Sequence, residues 1–114
     1  MALPSFEKVL TRTDIHEMLV IPTHFMQHLP GVEGGQSVEL TVNASGTQRT
    51  FGYYTRDGPN RRPVLRSGWR TFVRDKGLEI DHKILFECVD GFPQYQIRAQ
   101  KKIILLGQET WADF

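Results

Sequence analysis

The segment Ser37-Val38-Glu39-Leu40-Thr41-Val42, followed by Asn43-Ala44-Ser45-Gly46 and then residues 48–55, reads as a β-hairpin. Apolar and polar side chains alternate with period two, which places Val38, Leu40 and Val42 on the buried face of a strand. Asn, Ser and Gly accept the tight backbone of a reversal, so the chain turns at 43–46 and residues 48–55 return as the partner strand.

Upstream, residues 6–10 and 18–21 read as strands, the second stopped by Pro22, which has no N–H for a ladder. Residues 23–29 are expected as a short helix, with Thr23 as N-cap and Phe25, Met26 and Leu29 on one face. Downstream, residues 63–66 form a further strand, and Ser67 is expected to cap a helix over 68–76 that stops at Gly77. Trp69, Phe72 and Val73 fall at i, i+3 and i+4 on that helix, so they face the core and leave Arg70 and Arg74 outside. Residues 84–89 and 94–99 pair as a second hairpin across 90–93. The tail after Gly107 has no periodic pattern, although Trp111 and Phe114 are able to pack back on the body. About seven short strands with two short helices describe a β-barrel, open or closed, better than a layered α/β protein.

A chain of 114 residues fits one domain, with a core at about 5–102 and a tail at 103–114. Twelve aromatic residues supply a core that needs no cross-links. Cys88 is the sole cysteine, which excludes an internal disulfide and fits a reducing compartment. No stretch has the composition of a signal peptide or a membrane span. The net charge of +1 conceals an uneven distribution. Residues 56–76 carry seven cations against two carboxylates, whereas 1–55 carry three against five. A field of that kind concentrates polyanions locally whatever the sum over the chain. The bland reading of the same window is a solvated face with some helix pairing, such as Arg70 or Arg74 near Asp75.

Together, Phe6, Lys8 and Leu10, Thr11-Arg12-Thr13-Asp14, Leu19-Val20-Ile21-Pro22, Leu29-Pro30, the Phe51 strand, the run of Arg62, Leu65, Gly68-Trp69 and Phe72-Val73, Leu78, and Ile84 to Phe86 resemble the plant B3 DNA-binding domain. The likeness runs from about Ser5 to about Lys102. It implies a mostly-β fold, a seven-stranded open pseudobarrel with two short helices. It also implies two arms that enter the major groove of double-stranded DNA, within a plant transcriptional regulator of the nucleus. By position, the first arm is Thr11, Arg12, Thr13 and Asp14 with Lys8 beside it. The second is residues 56–62, in which Arg56, Asn60 and Arg61 accompany Arg62, the position of a base-contacting arginine. Arg66 joins Lys8, Arg56 and Arg61 as an expected phosphate contact. Guanidinium groups suit this work because they pair bidentately with phosphate and with guanine O6 and N7. Two positions depart from the family pattern. Ile80-Asp81 stands where Gly-Asp is usual, and Asp57 occupies the place of a family arginine, one residue from Arg56.

The sequence offers little to an enzyme. His24 and His28 have a metal-compatible i, i+4 spacing but no evident third ligand, and His16-Glu17 lacks the second histidine of a zinc-protease helix. His82 reads as a turn residue and Cys88 as a small buried side chain. Thr11-Arg12-Thr13-Asp14 is equally a plain capped turn on its residue types alone. Neither a cofactor nor a small-molecule substrate is expected; the expected partners are DNA and, second, other transcriptional regulators. A rival expectation retains the fold but gives it weak DNA affinity and a role as a protein-interaction module.

Overall fold

The computed structural model describes residues 4–30, 37–55, 62–89 and 94–114. Its strands are β1 (Ser5–Val9), β2 (Leu19–Val20), β3 (Ser37–Ala44), β4 (Thr47–Thr55), β5 (Pro63–Leu65), β6 (Lys83–Val89), β7 (Gln94–Leu105) and β8 (Gln108–Asp113). Two α-helices, α1 (Arg12–His16) and α2 (Trp69–Lys76), and a 3-10 segment, Thr23–His28, complete the fold. Strand order is β1-β6-β7-β3-β4-β5-β2, with β8 joined to β7 off this path. The path of seven strands is the expected open pseudobarrel, antiparallel except where β3 runs parallel to β7 over Val42–Ala44 and Tyr95–Ile97.

The β3–β4 hairpin is the centre of the sheet. β3 and β4 pair from Ser37↔Tyr54 to Ala44↔Thr47, so the reversal is only two residues, Ser45 and Gly46, both at positive φ. That is the turn whose twist matches the flanking strands, and Asn43 Oδ1 accepts from the Gly46 N–H at 2.9 Å to hold it. Leu40 and Val42 are buried as expected, and Val38 is half-buried at the core's margin.

The core has two aromatic centres. Phe6, Phe25, Phe86 and Tyr95 pack ring on ring under β1, β6 and β7, with centroids 4.8–5.8 Å apart. Phe51, Trp69 and Phe72 form the other where α2 lies on β4, with centroids 5.7–6.0 Å apart. Truncating one such ring to alanine ordinarily costs about 3–5 kcal/mol.

Four local expectations are corrected. The 23–29 segment is a 3-10 turn rather than an α-helix; Pro22 occupies its N-cap position, with no side-chain cap. Arg12–His16 is helical instead, capped by Thr11. Ser67 does not cap α2: Gly68 does, at φ +79, because its backbone passes so near β4 that a Cβ would lie 2.3 Å from the Thr50 carbonyl oxygen. The tail is not patternless chain, for β7 runs to Leu105 and turns at Leu106-Gly107 into an eighth strand. Gly77 ends α2 in the left-handed conformation as expected. In the Ile80-Asp81 turn the left-handed residue is Asp81 (φ +76), a type that tolerates it, so the β-branched Ile80 carries no strain.

Candidate nucleic-acid interface

Because β1 and β2 end the strand path and do not pair, the barrel has a seam between them. The chain crosses it through α1. On β1, Phe6 and Lys8 share the inward parity, so Lys8 enters the protein beside a core phenylalanine. An inward lysine requires a partner, and α1 provides it. The Asp14 carboxylate, wholly buried, accepts from Lys8 Nζ at 2.7 Å and the Val20 N–H at 3.2 Å on Oδ1. On Oδ2 it accepts from the Thr11 N–H at 2.8 Å and the Thr11 hydroxyl at 2.9 Å. The Lys8 ammonium also donates to the Val20 carbonyl at 2.7 Å, and the Trp69 indole N–H donates to the Asp14 carbonyl at 2.7 Å. A charge pair removed from water persists only when its remaining lone pairs are met like this.

The result is a short helix fixed to β1, β2 and α2. Arg12, Thr13 and His16 point out of it into solvent. Thr11 spends its hydroxyl on the cap, and Lys8 keeps one of its three N–H donors for anything else. The capped-turn reading of residues 11–14 thus describes their backbone, while the exposed Arg12 and Thr13 remain available to a ligand.

Next to this helix, Lys8, Val20, Ile21, Pro22, Thr23 and Arg62 line an open depression of about 300 Å³. Arg62 reaches it because β5 pairs with β2 and the Pro63 carbonyl accepts from the Ile21 N–H at 2.9 Å. Arg12 and Arg62 are exposed, and neither has a carboxylate partner among the described residues. Arg56, Asn60 and Arg61 lie outside the described residues.

Among the described residues, the other cations of the basic window do not line this depression. Arg66 lies past the other end of β5, roughly 13 Å along a strand from Arg62, with its guanidinium 5.2 Å from the Tyr54 ring centre. Arg74 lies 3.6 Å from Asp75, which also holds Arg49 at 3.1 Å. Lys76 lies over Phe114. From the described part of the window, it is Arg62 that shares a depression with Lys8.

His24 is exposed, His28 packs edge-on against Phe25, and no group of three metal-ligating side chains occurs among the described residues. Cys88 is half-buried, and burial raises its thiol pKa above the ordinary value. No helix among the described residues is long and apolar enough to cross a membrane. The residue that sequence reasoning undervalued is Asp14: it completes the capping box of the turn with Thr11 and, beyond that, stands at the centre of the seam. The available signal was the parity of Lys8.

Comparison with known proteins agrees with this geometry. A family model described as the B3 DNA binding domain matches residues 6–101. Among solved structures, the chain is similar to one titled as an Arabidopsis FUS3-DNA complex, at 25% identity and a TM-score of 0.73, over 84% of this chain and 95% of that one. It also shares its fold with a hypothetical Arabidopsis thaliana protein, at 19% identity and a TM-score of 0.60, over 84% of this chain and 88% of that one. No curated protein sequence matches the chain.

Proposed function

Since the chain belongs to the B3 DNA-binding domain family, we propose that it binds double-stranded DNA through the major groove, as the sequence-reading part of a plant transcriptional regulator in the nucleus. The observation that carries this reading is the placement of Arg62. It is exposed, has no acidic partner among the described residues, and stands at the rim of the Lys8–Thr23 depression beside the pinned helix α1. The similar FUS3 structure is a DNA complex, which supports the same partner.

Arg62 is the first residue for base readout and Arg12 the second, with Thr13 alongside and Thr11 holding the arm in place through its cap. Arg56, Asn60 and Arg61 extend the second arm, and Arg66 and the spare N–H of Lys8 serve phosphate. Selection of bound duplexes from a random pool tests this directly. With the selected site in hand, Arg62→Ala is expected to cost about 1–3 kcal/mol and to relax preference at one base pair. Unchanged affinity and unchanged preference would reject the assignment. Phosphate contact is tested separately, because log K then falls linearly with log salt; a flat response would favour the protein-interaction reading.

A further inference from the structure

Strand β7 outruns its neighbour. β6 pairs with it from Val89↔Gln94 to Lys83↔Gln100, while β8 pairs on the opposite border from Gln100↔Asp113 to Leu105↔Gln108. Residues 101–105 therefore have a strand on one side only, among the described residues. The direction of the bare side follows from one hydrogen bond. Phe114 N–H donates to the Ala99 carbonyl at 3.0 Å, so Ala99 faces β8. Backbone polar groups alternate along an antiparallel strand, hence 101, 103 and 105 also face β8, and Lys102 and Ile104 present their N–H and C=O groups to the bare border.

The side chains at this end are apolar and uncovered: Ile104 is 76% exposed, Leu105 58% and Leu106 97%. Proteins ordinarily protect such a border with a charge, a proline or a bulge. Here the charges, Lys101 and Lys102, stand only at the inner end of the border; from Ile103 to Leu106 there is neither charge nor proline, and the pairing with β8 continues unbroken to Leu105.

We propose that this border pairs, antiparallel and about a two-fold axis at Ile103, with the same border of a second copy of the chain. The segment is its own complement in that register. Lys102 and the partner's Ile104 exchange N–H···O=C bonds, and Ile104 does the same with the partner's Lys102, which uses every outward backbone group from 102 to 104. Ile103 meets its counterpart as a non-hydrogen-bonded pair, and Lys101 stands opposite the partner's Leu105. Charge is compatible with this register. Each Lys102 lies beside the partner's Ile104, on whose far side stands the partner's Glu109, the carboxylate type that Lys102 already approaches at 3.6 Å within its own chain. An axis one residue earlier would oppose Lys102 to Lys102, which is unfavourable, and would direct Gln100 into the border that β6 occupies.

The test uses the whole chain with Cys88→Ser. Light scattering across concentrations up to about 1 mM is expected to show the mass rising towards that of a dimer, and Ile104→Lys is expected to remain monomeric with its melting temperature little changed. In a second arm, Ile103→Cys is oxidised with diamide. A non-hydrogen-bonded antiparallel pair brings Cα atoms to about 4.5 Å, within disulfide range, so a covalent dimer is expected. Thr110→Cys, on the far strand of the ribbon, is expected to stay uncrosslinked. A Cys88→Ser chain that is monomeric throughout overturns the proposal and leaves the tip to a different partner. Equal cross-linking at 110 and 103 overturns the register. If Ile103→Cys does not fold, the masses of the Cys88→Ser parent and of Ile104→Lys still decide.

Discussion

The Lys8 ammonium lies 2.7 Å from the Val20 carbonyl, and through it the first strand of the sheet path is tied to the last. The same ammonium neutralises Asp14, whose side chain has no exposure to water. Lys8→Ala is therefore expected to strand a buried carboxylate and cost about 3 kcal/mol. Urea unfolding is the measurement: the midpoint falls while the slope is unchanged. A variant as stable as the parent would show that the seam is held by something else.

This result bears on how DNA data are read. An affinity loss in Lys8→Ala that accompanies lost stability reports a loosened α1, whereas loss without destabilisation reports a phosphate contact. Arg12→Ala, exposed and outside the network, is expected to change stability by no more than about 0.5 kcal/mol and to reduce the salt slope of DNA binding by about one. An unaltered slope would remove Arg12 from the interface.

Much of this architecture was legible in the sequence, and the reasons are particular. Strand parity at 38, 40 and 42, the Asn43 to Gly46 reversal and the Trp69, Phe72 and Val73 spacing are local signals, and local signals survive folding when the core agrees with them. α1 was missed because five residues are too few for a helical period; its stability comes from Asp14 and Trp69, which lie 55 residues apart. β8 was missed because a ribbon exposed on both faces has no buried parity to display. The spread of the basic window was hidden for a further reason: β5 carries Arg62 and Arg66 to its two ends, a matter of strand length rather than of composition.

Two glycines at left-handed φ separate backbone strain from collision. Gly77→Ala meets nothing within 4 Å, so only the conformational cost of about 1–2 kcal/mol applies. Gly68→Ala bears that cost and also brings a Cβ to 2.3 Å from the Thr50 oxygen, which forces α2 away from β4. Thermal melts should rank Gly68→Ala clearly below Gly77→Ala; equal losses would contradict the close approach.

Trp69→Phe is expected to cost about 2 kcal/mol or more, since it opens a cavity and leaves the Asp14 carbonyl without its indole donor. Calorimetry checks the size. A loss below about 0.5 kcal/mol would mean that water or a neighbour takes over the carbonyl.

Alkaline stability should depend on Tyr95. Burial, then the nearby Cys88 and Tyr53 charges, raise its phenol above the ordinary 10.0, and its hydroxyl donates to the His28 carbonyl at 3.0 Å. The folded state thus holds this proton more tightly than the unfolded one. Its contribution is complete below pH 10 and is lost as pH rises through the folded value. Tyr95→Phe should flatten the decline in urea midpoint on the alkaline side; an equally steep decline would assign it elsewhere.

The two borders of the open sheet belong to strands that follow one another in the chain, separated only by the turn that carries Arg12 and Thr13. The Lys8 and Asp14 bonds that fix this turn to both lips of the barrel mean that a force on its outward side chains would be shared by the two border strands rather than borne by one.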